Sequence, residues 1–113
     1  MNKDNTGKMT GKMAQLKKVS QGHYLLKGVL NFKSVPELWD KNKTSLFSEH
    51  SKMLAIDCSQ LEHSDSSGLA LLLEWYRTAQ EKNIDIVFYK LPQQMYDIAR
   101  ISGLDTILPL KLK

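Results

Sequence analysis

The stretch from Met53 to Tyr89 constrains the fold more than any other part of the chain. Met53-Leu54-Ala55-Ile56-Asp57-Cys58 is a short apolar run with no polar alternation until its end, the pattern of a strand covered on both faces. Gly68 to Lys82 repeats apolar residues at helical spacing and is the strongest helical signal in the sequence. Ile84 to Tyr89 then returns to β-branched and aromatic residues, which suit a strand. Two strands separated by a helix do not form a hairpin. They are joined by a right-handed crossover, which makes them parallel neighbours in one sheet.

The flanking segments extend this unit. Leu16 to Val19 and Tyr24 to Leu30 lie on either side of a turn at Gln21-Gly22 and read as an antiparallel hairpin. Ser34-Val35-Pro36-Glu37 opens a helix, with Ser34 as the cap, Glu37 three residues on and Pro36 in the first turn. Val35, Leu38, Trp39, Asn42 and Leu46 then give it one mostly apolar stripe. Ser59 to Ser67 is polar and reads as a loop. Pro92 opens a third helix that closes near Gly103, and Ile107 to Leu110 is a last short strand or extended end. The expectation is an α/β domain: a mixed, mostly parallel sheet of four or five strands, an N-terminal hairpin and about three helices. A chain of 113 residues is one such domain.

Charge and composition narrow the function classes. The formal net charge is +4, but residues 1–18 carry five lysines against Asp4 alone, while residues 19–113 hold equal numbers of basic and acidic side chains. The basic character therefore belongs to an expected disordered tail, residues 1–14, ahead of a domain spanning 15–113. A neutral body argues against nucleic acid as a partner. Cys58 is the single cysteine, so no intrachain disulfide forms, which suits a reducing compartment. No apolar run approaches the roughly 20 residues that span a bilayer, and the N-terminus lacks a secretion signal's apolar core, so the expected location is cytoplasmic. His23, His50, His63 and Cys58 are not at metal-ligand spacing, and neither a phosphate-binding Gly-x-x-x-x-Gly-Lys loop nor a Gly-x-Ser-x-Gly elbow is present. The sequence thus implies no catalytic, metal or cofactor site and no enzyme.

One segment has the character of a site. Asp65-Ser66-Ser67-Gly68-Leu69 leads into the N-terminus of the apolar helix, where free backbone N–H groups and the helix dipole favour negative charge. Asp65 and the serines are good capping residues there. A hydroxyl at this position is also one that a phosphate would convert into an exposed dianion.

Asp65-Ser66-Ser67-Gly68-Leu69 resembles the Asp-Ser/Thr-x-Gly-Leu signature of STAS domains, and the element order after the tail is similar to theirs. Gly68-Leu69-Ala70-Leu71-Leu72-Leu73 and the closing stretch from Met95 through Gly103-Leu104 to Ile107-Leu108-Pro109 resemble the MlaB family in particular. That resemblance implies a STAS fold. It also implies a non-catalytic subunit without cofactor, held at the inner membrane through the ATPase (MlaF-like) of an Mla-type ABC transporter, whose task is phospholipid transport and outer-membrane lipid asymmetry. Ser66 stands where the MlaB family usually has Thr, Ser67 where it usually has Gly, and Ser64 where an apolar residue is usual. The two serines match anti-sigma factor antagonists of the SpoIIAA kind equally well. That alternative implies an anti-sigma factor kinase as partner, with Ser66 phosphorylated to release it.

On the helix that follows, about 100° per residue puts Leu69, Leu72, Leu73 and Tyr76 on the core face. Leu71 then falls on the far side and Trp75 on the flank, so the expected docking surface joins the Asp65–Gly68 loop to an exposed Leu71 and Trp75.

Overall fold

A computed structural model of the chain describes residues 13–48 and 51–112. Most of the expected tail, residues 1–12, lies outside them. Met13 already forms an isolated bridge with Val29, and Ala14 packs against the core.

Four strands form one sheet in the order β1-β2-β3-β4. β1 (Gln15–Ser20) and β2 (His23–Leu30) make the antiparallel hairpin, and β3 (Met53–Ser64) and β4 (Asp85–Tyr89) continue parallel to β2. α1 (Ser34–Asn42) and the single turn α2 (Ser45–Ser48) cross from β2 to β3, and α3 (Ser66–Glu81) crosses from β3 to β4. Both crossovers step the same way across the sheet. Their shared right-handedness therefore stacks the helices on one face. α4 (Gln93–Ile101) packs beside α3, and a 3₁₀ turn at Leu104–Thr106 follows. Gly103 between them takes φ +77°, the left-handed conformation expected of it.

The core lies between the sheet's inner face and these helices. Leu26, Leu30, Leu54, Ile56, Cys58 and Phe88 of the strands meet Leu38, Leu46, Leu69, Leu72 and Met95 of the helices. Inner positions of β2 and β4 are buried and outer ones only half-buried or exposed. The first half of β3 has the same alternation, so the Met53–Cys58 run is covered on one face and not on both. A small residue and a charged one at its outer positions, Ala55 and Asp57, suit an uncovered face. The two sheet edges are closed differently. β1 presents Lys17 and Lys18, whereas β4 is capped by the C-terminal segment, with Phe88 N–H donating to Pro109 O (3.0 Å) and Lys111 N–H to Phe88 O (2.8 Å).

Two expected boundaries move. β3 runs to Ser64, so Ser59 to Ser67 is not a loop. Its register against β2 slips twice, between Leu25 and Lys27 and between Gly28 and Val29. Each slip inserts an extra residue and destroys the period of two by which a strand is read. The first helix is capped by Asn31 and not by Ser34. The Asn31 side-chain oxygen accepts from the N–H groups of Lys33 and Ser34, both at 2.9 Å. Ser34 Oγ instead donates back to Val29 O at 2.8 Å.

Two buried groups generate predictions. Trp75 is fully buried on α3 and its indole N–H has no hydrogen-bond partner among the described residues. Removing an unsatisfied donor while keeping an aromatic body relieves a desolvation cost. Trp75→Phe is therefore expected to leave urea-unfolding stability within about 1 kcal/mol of wild type, whereas Trp75→Ala loses about 3–5 kcal/mol. Burial, with the Asp57 charge as the lesser cause, pushes the Cys58 thiol from its ordinary 9.0 up to about 12. The folded chain thus holds this proton after the unfolded chain has released it. The contribution is intact below pH 9 and is lost as pH rises from there toward 12, at about 1.4 kcal/mol per pH unit. Urea titrations on both sides of pH 9 should show this decline in wild type and a shallower one in Cys58→Ala.

Candidate functional site

β2 and β3 end side by side, with Leu30 opposite Ser64, and α1 and α3 begin there. This is the edge of an α/β sheet where functional groups collect, because helix N-termini and loops converge on it. Asp65 follows directly on β3. Its backbone N–H donates to Leu30 O at the end of β2 (3.1 Å), which ties the two strand ends together. Its backbone is extended, and its carboxylate accepts from Ser67 N–H at 2.8 Å, so Asp65 is the N-cap of α3. The carboxylate is thus engaged with the helix end.

Ser66 and Ser67 occupy the first turn of α3. Ser66 is exposed and Ser67 half-buried. The Ser66 hydroxyl faces solvent over the N-terminal end of the helix dipole, where negative charge is favoured. Ser64 is 4% exposed, and its Oγ donates to Asp65 O at 3.0 Å. A polar residue is therefore satisfied at a position where an apolar one is usual.

Gly68 is buried where α3 meets the sheet. A Cβ at this position would overlap Ser64 Oγ and come within 3.0 Å of Leu30 Cδ1 and 3.1 Å of Leu30 Cβ. The glycine of the motif is thus a packing residue. It lets the helix start directly on the ends of β2 and β3.

That contact also corrects the expected docking surface. Leu71 is 2% exposed and Trp75 0%, so neither belongs to a surface patch. The buried arc of α3 is Gly68, Leu69, Leu71, Leu72, Trp75 and Ala79, while Leu73 and Tyr76 are only half-buried. Its centre is rotated by roughly 90° from the face expected of the sequence. Apolar side chains occupy so much of this helix that periodicity leaves its orientation open, and the glycine contact fixes it. What sequence reasoning missed at this end is Phe32, in the turn between β2 and α1, which is 71% exposed. The preceding Asn31 was the available signal, because an Asn before a helix start marks a turn, and turns lie at the surface.

Among the described residues, no group of three or more His, Cys, Asp or Glu side chains could hold a metal ion, and no helix is long and apolar enough to cross a membrane. His63 sits exposed on β3, and the Asp65 carboxylate accepts from Ser67 N–H, an arrangement that gives Ser66 no relay.

The family model for the MlaB STAS domain matches residues 14–110. The chain belongs to this STAS family. Comparison with curated proteins finds no match. Among solved structures, the chain is similar to the anti-sigma factor antagonist SpoIIAA in its unphosphorylated form, with TM-score 0.67 and 20% identity over 86% of each chain. It is also similar to the Bacillus cell fate determinant SpoIIAA in the phosphorylated form, with TM-score 0.63 and 21% identity over 86% of this chain and 89% of that one. At such identity the likeness is one of fold. The mixed sheet, with its N-terminal hairpin and helices, is the STAS fold.

The site geometry predicts how two substitutions divide. Gly68→Ala forces Cβ into Ser64 and Leu30 and should destabilise the domain by about 1–3 kcal/mol. Adding Ser64→Ala removes one of the two obstacles, so the double variant should recover part of that loss in chemical unfolding. Equal stability of the single and double variants would show that Ser64 is not the obstacle.

Proposed function

We propose that this chain is a non-catalytic docking subunit that binds and supports the ATPase of an Mla-type ABC transporter, using the Asp65–Gly68 end of the sheet as its contact. The observation that carries the reading is the division of labour within the motif. Asp65 and Gly68 serve the fold, while the Ser66 hydroxyl is exposed and bonded to nothing among the described residues. A polar side chain displayed beside a rigid helix start suits recognition, since its geometry is set before any partner arrives. The match to the MlaB family over residues 14–110 supports the ATPase as that partner and phospholipid transport as the task. On this reading the chain is cytoplasmic and reaches the inner membrane through its partner. It acts by binding one arrangement of the ATPase better than another and so shifting its population.

A second reading has one observation in its favour. Ser66 and Ser67 together suit an anti-sigma factor antagonist, and Ser66 is accessible to a kinase. Phosphate at that point would add about −1.5 to −2 charges to a docking surface and expel the partner.

Tagged chain recovered from detergent-solubilised native cells separates the two. The transport reading expects a stable complex with an ABC ATPase and its permease, and Ser66→Glu should weaken that complex at least about tenfold while unfolding stability stays within about 0.5 kcal/mol. Recovery of a soluble kinase with phosphate on Ser66 would instead establish the antagonist reading.

A further inference from the structure

β1 is the terminal strand of the sheet, and among the described residues no strand lies beyond it. The opposite edge is covered, since Leu110 bridges Phe88. Apart from the half-buried Leu16, every residue of β1 is exposed. A terminal strand directs a row of backbone N–H and C=O groups away from its neighbour, which is a ready template for one further strand.

A groove of about 560 Å³ runs beside this edge, between β1 and α1. The half-buried Ala14 and Leu16 and the buried Leu38 supply its apolar surface. The exposed Lys17 and Lys41, with two side-chain amides, supply the rest, and no carboxylate lines it among the described residues. The register shows where an added strand would place its side chains. Leu16 lies opposite Leu26 of the core, so the groove belongs to the face that bears the helices. Lys17 lies opposite Leu25, on the other face. Alternate side chains of a strand beside β1 therefore enter the groove and stand against Lys17.

Charge selects the occupant. Lys17 and Lys18 are the middle of Gln15–Ser20. A second copy pairing there about a two-fold axis sets a β1 lysine directly against its own counterpart, and like charges so placed are destabilising. The edge thus opposes self-pairing but attracts a strand of opposite sign. The nearby carboxylates do not cancel this. On α1, Asp40 pairs with Lys43 at 3.5 Å, and Glu37 is not part of the groove lining. Asp57 is separated from Lys17 by β2. Residues 1–12 contain Lys3, Lys8 and Lys12 against Asp4, the wrong sign for this edge.

We propose that the β1 edge is a second docking surface, separate from the Asp65–Gly68 end, and that it takes an extended acidic segment of a partner protein as a fifth strand. Main-chain hydrogen bonds hold the segment. Its apolar side chains enter the groove over Leu16 and Leu38, and its carboxylates face Lys17, with Lys41 at the groove's other side. The inference stands whichever partner the Asp65–Gly68 end binds.

The test titrates the isotopically labelled full chain with an acetylated peptide of about eight residues alternating Glu and Val, at low and high potassium chloride, and follows the amide resonances. Saturable binding is expected, with shifts confined to Gln15–Ser20 and the facing side of α1, and weaker binding at high salt. A Glu-Gly peptide of equal charge lacks β-propensity and apolar side chains and should bind about tenfold or more weakly. Lys17→Glu should weaken binding of the Glu-Val peptide about tenfold and Lys41→Glu about threefold. Lys111→Glu makes the same charge change on the segment along β4 and should alter affinity by less than about twofold. Thermal unfolding verifies that each variant keeps its fold, as exposed positions should allow. No binding, shifts elsewhere, or equal affinity for the Glu-Gly peptide would overturn the proposal. A concentration-dependent dimer that engages the β1 amides would assign the edge to a second copy, and peptide binding seen only after removal of residues 1–12 would assign it to that segment. Either result overturns the proposal as well.

Discussion

The contact of Gly68 with Leu30 and Ser64 governs the rest of the structure. It brings the first turn of α3 against the ends of β2 and β3 with no side chain between them. Once that end is seated, the helix can roll about its axis in only one way, and Leu71 and Trp75 turn inward. The inner faces of β3 and β4 are then covered by one arc of one helix, with α1 and α4 filling the sides. The same seating leaves the Ser66 hydroxyl outside, because Asp65 has already taken the cap position and Ser64 the space beneath.

Much of the fold was legible in the sequence because it depends on local patterns. The hairpin around Gln21-Gly22, the helix after the motif, the β4 run and the left-handed Gly103 are each set by residues close in sequence. What was not legible depends on pairing between distant residues. The second half of β3 is a strand because β2 lies beside it, yet two register slips erase the alternation that would announce it. Asn31 takes the capping role expected of Ser34 because the turn curls back on Val29. A single stretch of sequence does not reveal that return.

The candidate site was legible in part for the same reason. Asp65 through Gly68 could be located as a helix start and matched to a family pattern. Their separate duties could not, since the role of Gly68 is defined by Leu30, thirty-eight positions earlier. The exposure expected of Leu71 and Trp75 failed on the roll of the helix. Phe32 was passed over because one phenylalanine in a turn has no periodicity to mark it.

The division between Ser66 and Gly68 has a consequence for how such a domain can evolve. Substitution at position 68 requires an accommodating change at 64 or 30, so these positions can only drift together. Position 66 projects from the fold and touches none of them. If recognition resides there, as proposed, lineages are free to exchange one recognition chemistry for another, generation by generation, without crossing a valley of unstable intermediates, and a single scaffold can be inherited by unrelated assemblies.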